Sequence, residues 1–165
     1  MEYLAWLEGT GFSIWMRESG PAFFGSLILH SLGMGFLVGV HVATDLRILG
    51  VAPGVPLSLL RRFRPVASVA LAVVTISGVL LLVAYPTKAL TNPLFYVKLL
   101  AALAALLVGG VLSAALFTDA KYDIGLVPGA KRGLAALSVA LWIATITSGR
   151  FLAYTYNLLM ASHAS

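Results

Sequence analysis

The sequence contains no cysteine and very few charged residues. Without cysteine, thiolate metal sites, iron–sulfur clusters, cysteine-linked haem and disulfide bonds are all excluded. Charged side chains make up only 10% of the 165 residues, whereas an ordinary soluble domain carries about 25%. The chain is instead 60% hydrophobic. It is therefore predicted to be an integral membrane protein, in which any chemistry uses helix side chains or short loops.

Acidic residues are scarcer still, with 6 against 11 lysines and arginines and a net charge of +5. The basic residues lie near the ends of the apolar stretches, where they set membrane topology rather than form a nucleic-acid surface. We therefore expect the lipid bilayer as a partner and no nucleic acid. The N-terminus has no basic region ahead of its apolar residues, so a signal peptide is not predicted.

Four stretches reach the length of about 20 apolar residues that a bilayer core requires. They cover approximately residues 22–46, 65–86, 93–117 and 132–156. Residues 2–18 mix tryptophan and tyrosine with glutamate, which is typical of a helix lying at the membrane surface. The predicted fold is all-α, a single membrane domain over residues 1–165 with a four-helix bundle and an N-terminal interfacial amphipathic helix.

The basic residues are distributed unevenly between the two sides of the predicted bundle. The first and third loops hold most of them, namely Arg47, Arg61, Arg62, Arg64, Lys121, Lys131 and Arg132. Cytoplasmic loops of membrane proteins carry an excess of lysine and arginine. We therefore predict that these loops are cytoplasmic in a bacterial inner membrane and that both termini are periplasmic.

Two histidines in the first span, His30 and His41, are the leading candidates for a cofactor site. Eleven residues are about three helical turns, so both imidazoles are expected on one face, roughly 16 Å apart along the axis. Ionisable side chains inside a membrane helix are costly and are interpreted first as functional, and imidazole is a common ligand of haem iron. Haem ligation is predicted for both, with His41 alternatively part of a quinone site. The other interpretation is that each bonds a neighbouring carbonyl or hydroxyl.

A haem with two histidine ligands needs a further histidine, and only His163 near the C-terminus remains. Lys98 in the third span and Arg150 in the fourth are expected at a depth similar to that of His30. Lys98 could ligate iron as a neutral amine, pair with a propionate or quinone oxygen, or extend to the outer interface. Arg150 keeps its charge, so it needs an anion such as a haem propionate or a lipid phosphate.

Small residues predict where helices approach each other closely. Gly35 and Gly39 form a GxxxG step on the side of the first span away from the histidines, where another helix could pack. Next to Lys98, the third span presents a face of small residues, Ala101, Ala102, Ala105 and Gly109. This face is either a groove for a flat macrocycle or a seam between helices, and the seam is favoured because small residues are common at membrane helix contacts.

Two further polar features are predicted to be structural. Asp45 and Arg47 end the first span and are expected to form salt bridges or caps with the arginines at 61–64. Thr75 and Ser77 lie near the middle of the second span. Hydroxyls in such positions can bond their own helix backbone, so no function is required of them.

Three segments carry a resemblance to known proteins. They are "ESGPAFFGSLILHSLGMGFLVGVHVATDLRILG", "NPLFYVKLLAALAALLVGG" and "SGRFLAY". Together they resemble a family of small four-helix bacterial inner-membrane proteins, and the layout is more remotely similar to CopD-like copper-resistance proteins and to HemJ-like haem-dependent protoporphyrinogen oxidases. The HemJ-like pairing of a helix-1 histidine with a helix-3 lysine maps to His30 and Lys98. This resemblance implies a haem near the outer half of those two helices, but other HemJ landmarks are absent, so the reaction is not carried over.

The leading hypothesis is a b-type cytochrome-like membrane subunit. With haem b, and with a quinone as a further ligand, it would carry electrons between the quinone pool and a periplasmic partner, either in a complex with other redox subunits or as a homo-oligomer. One alternative is a non-catalytic membrane anchor or accessory subunit of a larger complex. Another is CopD-like copper transport. The sequence does not decide whether the protein is an enzyme.

Overall fold

The computed structural model describes residues 2–117 and 120–163, apart from the side chains of residues 153 and 155–163. Its helices are α1 (Glu2–Glu8), α2 (Gly11–Glu18), α3 (Gly20–Leu49), α4 (Leu57–Arg61), α5 (Arg64–Ala84), α6 (Pro86–Leu90), α7 (Pro93–Leu116) and α8 (Gly129–His163), with a short 3₁₀ turn at Ala120–Tyr122. Four helical segments are long and apolar enough to cross a membrane. The predicted all-α membrane bundle is confirmed, with a first and a fourth helix that begin earlier and end later than predicted.

Local sequence signals explain where the long helices begin and end. The Ser19 side chain accepts a hydrogen bond from the backbone of Ala22 at the start of α3, and the Asn92 side chain accepts one from Leu94 at the start of α7. Each satisfies a backbone N–H that has no partner within the first helical turn. Helix α3 ends at Gly50, whose φ of 94° is a left-handed conformation that glycine adopts without steric cost.

The N-terminal segment forms two short helices rather than the single helix predicted over residues 2–18. The chain turns after Glu8, and the side chain of Thr10 caps α2 by accepting a hydrogen bond from the backbone of Ser13. The Ser13 hydroxyl donates to the carbonyl of Val83 over 2.8 Å, and Arg17 donates to the carbonyl of Ala84 over 3.2 Å. These bonds fasten the segment to the end of α5.

The four long helices leave one side of the bundle open. Helix α3 packs against α5 and α8, and α7 packs against α8. Among the described residues α5 and α7 share no comparable contact. The central core cluster consists of Leu37, Val38, Ala70, Ala105 and Trp142. Helices α5 and α7 are therefore less closely packed than the other neighbouring long helices.

The close helix contact on α3 is at Gly33 and not at the GxxxG step. A Cβ atom at Gly33 would lie 2.9 Å from Cγ2 of Val74 on α5, whereas Cβ atoms at Gly35 and Gly39 would meet no atom within 4 Å. The predicted packing role of that step is therefore wrong within this chain, because the helical period turns Gly35 and Gly39 outward. On α7, the predicted seam is confirmed, since Ala101 and Ala105 are buried in the bundle.

The predicted salt bridges of Asp45 and Arg47 with the arginines at 61–64 are wrong for the described residues. The Arg47 guanidinium is 2% exposed. It donates to three backbone carbonyl oxygens, those of Val55, of Gly125 at 3.0 Å and of Asp123 at 3.1 Å. Because these acceptors come from the first and the third loops, Arg47 joins the two loops on one side of the bundle.

Candidate functional site

His30 of α3 and Lys98 of α7 meet inside the bundle. Nε2 of His30 lies 3.3 Å from Nζ of Lys98, and both side chains are partly buried. A Cβ atom on Gly149 of α8 would lie 3.5 Å from Cδ and Cε of Lys98. The lysine stem therefore runs along α8 toward the histidine instead of extending to the membrane interface.

The imidazole of His30 is oriented by α5. Its Nδ1 lies 3.1 Å from the carbonyl oxygen of Val74 and 3.2 Å from the hydroxyl of Ser77. A carbonyl oxygen only accepts, so Nδ1 carries the hydrogen, and in the neutral ring Nε2 is left as the acceptor facing Lys98. Metal-ligating histidines are commonly held in this way, with the second ring N–H donating to a backbone carbonyl.

Two residues beside this pair were not recognised as part of a site from the sequence. Ser77 was interpreted as structural, and its hydroxyl does bond its own helix, donating to Val73 over 2.6 Å, while also contacting His30. A Cβ atom on Gly78 would lie 3.2 Å from Cε1 of His30. The sequence did contain a signal, the adjacent Ser77 and Gly78 in an otherwise apolar span. Because these residues are small, an imidazole can lie against the backbone of α5.

His41 occupies a separate position, nearer the loops that Arg47 joins. Its Nδ1 bonds the carbonyl oxygen of Leu37 over 2.8 Å, one turn earlier in the same helix. Its ring lies against α7, where a Cβ on Gly109 would be only 2.9 Å from Cδ2, and against Trp142, with ring centroids 5.2 Å apart. The predicted bond to a neighbouring carbonyl is therefore present at Nδ1, and Nε2 has no hydrogen bond within the described residues.

The remaining predicted residues are not brought to the pair. Arg150 is exposed on α8, and no hydrogen bond among the described residues links it to His30 or Lys98. The side chain of His163 lies outside the described residues. Within the described ranges there is also no group of three or more histidine, cysteine, aspartate or glutamate side chains that could hold a metal ion.

The His30–Lys98 pair provides two nitrogen donors, and their number restricts which metal group the pair could hold. A free metal ion such as zinc needs three or four protein ligands, which two nitrogens do not supply. The iron of a haem receives four ligands from its macrocycle and takes only axial ligands from the protein. Two nitrogens are therefore too few for a free metal ion. At 3.3 Å they lie within hydrogen-bond distance of each other, so the two side chains would have to separate for a haem iron to enter between them. Comparison with family models, curated proteins and solved structures finds no match to this chain.

Proposed function

We propose that the protein is a b-type cytochrome-like membrane subunit, in which His30 and Lys98 would be the protein ligands of one haem b. It carries electrons between the quinone pool and a periplasmic partner. The observation that carries the proposal is the approach of Nε2 of His30 to Nζ of Lys98, at 3.3 Å. Two nitrogen donors from different helices are directed at each other inside the bundle.

Residues of the protein itself would orient the two ligand side chains. The hydrogen bond from Nδ1 to Val74 holds the imidazole with its Nε2 lone pair toward α7. Lys98 would ligate only as a neutral amine, because the ammonium form has no lone pair. Arg150 follows Gly149, the glycine that borders the Lys98 stem, and is our candidate to pair with a propionate. The bound haem would supply one-electron redox chemistry.

The charge distribution supports an orientation for this electron path. Arg47 joins the first and third loops, which also hold most of the basic residues. By the positive-inside rule these loops lie in the cytoplasm. In that orientation His30 and Lys98 lie in the periplasmic half of a bacterial inner membrane, where a periplasmic partner would be within reach of the haem.

The test is a reduced-minus-oxidised absorption spectrum of the detergent-purified protein, with a pyridine haemochrome assay for stoichiometry. We expect one haem b per chain, lost in His30→Ala and in Lys98→Met and retained in the matched control His41→Ala. Circular dichroism and size-exclusion chromatography show that each variant is folded. A folded, colourless protein would overturn the proposal, and so would haem retention in both ligand variants.

A second candidate function is that of an accessory subunit, and one observation favours it. Gly35 and Gly39 face outward on α3, and Cβ atoms there would meet nothing within 4 Å. Such a step allows the backbone of another helix to approach closely. A colourless protein that co-purifies with a stoichiometric membrane partner, and loses that partner in Gly35→Leu, would support this function over the first.

A further inference from the structure

A second polar site, separate from the His30–Lys98 pair, lines a cavity in the bundle. A cavity of about 200 Å³ lies between α3, α5 and α7, on the side of the bundle that faces α4. Its walls are mostly apolar. The polar and charged side chains that line it are His41, Thr44, Asp45, Arg64, Ser68 and Ser113. An apolar cavity of about 150 Å³ is enough to bind benzene, so this one has room for a single six-membered ring.

His41 presents an unused hydrogen-bond acceptor at this cavity. Because Nδ1 bonds the carbonyl oxygen of Leu37, and a carbonyl only accepts, Nδ1 carries the hydrogen of the neutral ring. Nε2 is then an acceptor with no bond among the described residues. Gly109 and Trp142 hold the ring on two sides. The position of Nε2 is therefore set by packing.

A second polar group lies one turn further along α3. The Asp45 carboxyl group lines the same cavity, but its Oδ2 is enclosed by protein and the buried Ser138 hydroxyl lies beside the carboxyl group. Arg64 and Ser113 add donor groups to the cavity wall. Nε2 of His41 is therefore the acceptor that a ligand can reach.

A ligand can reach this cavity from the bilayer. The cavity lies between α5 and α7, the two neighbouring long helices that share no extended contact among the described residues. Lipid chains, not water, surround that side of a membrane bundle. A molecule that enters there is lipid-soluble, and one that satisfies Nε2 of His41 donates a hydrogen bond.

We propose that this cavity binds the ring of a lipid-soluble quinol, with a ring hydroxyl donating to Nε2 of His41, and that it prefers the quinol to the oxidised quinone. A quinone ring has only carbonyl acceptors, whereas a quinol has two hydroxyl donors. The electron-transfer role of this site rests on the proposed cytochrome function, but the binding preference does not. Oxidation of the quinol breaks both O–H bonds. A haem held by His30 and Lys98 would supply the one-electron oxidation, and a neutral His41 could accept a proton from the bound hydroxyl.

Trp142 provides a reporter for binding that does not depend on haem. The other two tryptophans, Trp6 and Trp15, are exposed in α1 and α2, so the double variant Trp6→Phe/Trp15→Phe leaves one indole, with its ring centroid 5.2 Å from that of His41. A short-chain hydroquinone and its matching quinone are titrated into this protein in detergent. We expect a saturable fluorescence change with the hydroquinone at about tenfold lower concentration than with the quinone, as one or two hydrogen bonds predict.

Two variants and one control identify the hydrogen bond. His41→Leu removes the acceptor and is expected to abolish the preference for the hydroquinone. Gly109→Ala pushes the imidazole, because its Cβ would lie 2.9 Å from Cδ2 of His41, and should weaken hydroquinone binding severalfold. Gly35→Ala adds the same methyl group where it meets no atom within 4 Å and should bind as the parent does. Equal binding of the two probes by the folded parent, or a preference that survives His41→Leu, would overturn the proposal.

The haemochrome assay on the same preparation separates this proposal from the cytochrome function. Hydroquinone-selective binding by a colourless protein would support the cavity site and reject the electron-transfer role. Haem without selective binding would support the cytochrome function and reject the cavity site. Different measurements would therefore refute the two proposals.

Discussion

A methyl group on Gly33 would test how closely α3 and α5 pack. Its Cβ would lie 2.9 Å from Cγ2 of Val74, 3.3 Å from Cγ1 of Val73 and 3.3 Å from the carbonyl oxygen of Ala70. The valine side chains are stiff at χ1, and the carbonyl oxygen belongs to a hydrogen-bonded helix. Neither neighbour can rotate away, so Gly33→Ala requires the two helices to separate by a few tenths of an ångström.

The expected size of the effect follows from two opposing contributions. Overpacking a well-packed contact costs about 1–3 kcal/mol, while replacing a helical glycine by alanine gains about 0.5–1 kcal/mol. Gly33→Ala should therefore lower the free energy of unfolding by about 0.5–2 kcal/mol. Gly35→Ala has only the gain, because its Cβ meets no atom within 4 Å. The difference between the two variants cancels the helix preference and leaves about 1–3 kcal/mol.

The assay is equilibrium unfolding of both variants in mixed detergent micelles, followed by circular dichroism. A difference of about 1–3 kcal/mol corresponds to about a 5- to 150-fold change in the unfolding equilibrium constant. If Gly33→Ala proved as stable as Gly35→Ala, the α3–α5 contact would be looser than the distances at Gly33 indicate, and the packing argument would be refuted.

Three other predictions test separate parts of the structure. Arg47→Lys places all three donors on one nitrogen, which cannot reach the three carbonyl oxygens that the separate guanidinium nitrogens bond. We therefore expect the free energy of unfolding in detergent to fall by about 2–4 kcal/mol, and an unchanged midpoint would contradict the role of Arg47 in joining the loops. Ser77→Ala loses a bond to the imidazole of the candidate site and should cost about 1 kcal/mol, whereas Thr75→Ala, whose exposed hydroxyl bonds only its own helix, should cost less; equal losses would contradict this. A hydrogen bond with Lys121 lowers the pKa of Tyr122, so this tyrosine should ionise at lower pH in the folded than in the unfolded protein. The pH of ionisation is followed by tyrosinate absorbance in the folded and the unfolded protein, and the signal missing from Tyr122→Phe is the part that belongs to Tyr122. Ionisation at the same pH in both states would contradict the prediction.

The candidate site shows how far sequence reasoning reached. Similar depths were predicted for His30, Lys98 and Arg150, because the distance of a residue from the end of a span follows from the helical rise. Depth does not determine rotation about the helix axis. In the structure Lys98 turns toward His30, while Arg150 is exposed on α8. The sequence therefore predicted the membrane depth at which a partner of His30 would lie, but not which residue is that partner.

Asp45 and Ser77 show a second reason why parts of the structure were missed. Each has an ordinary structural interpretation within its own helix, and only the neighbouring helices reveal more. Ser77 reaches His30 across the α3–α5 contact, and Asp45 lies buried at a cavity formed by three helices. Their surroundings depend on residues far away in the chain, which a local pattern does not contain.

The sequence by itself determined the number of spans, their approximate extent and the clustering of basic residues in two loops. These follow from local composition, from caps such as Asn92 and from the thickness of the bilayer, which act over one helix at a time. Only the tertiary structure decided that Gly33 rather than Gly35 meets a helix, that Arg47 binds carbonyls rather than carboxylates, and that His41 lies beside Trp142. Those contacts depend on the order and rotation of the packed helices, because in an apolar bundle many faces are hydrophobic enough to be buried and close fit selects among them.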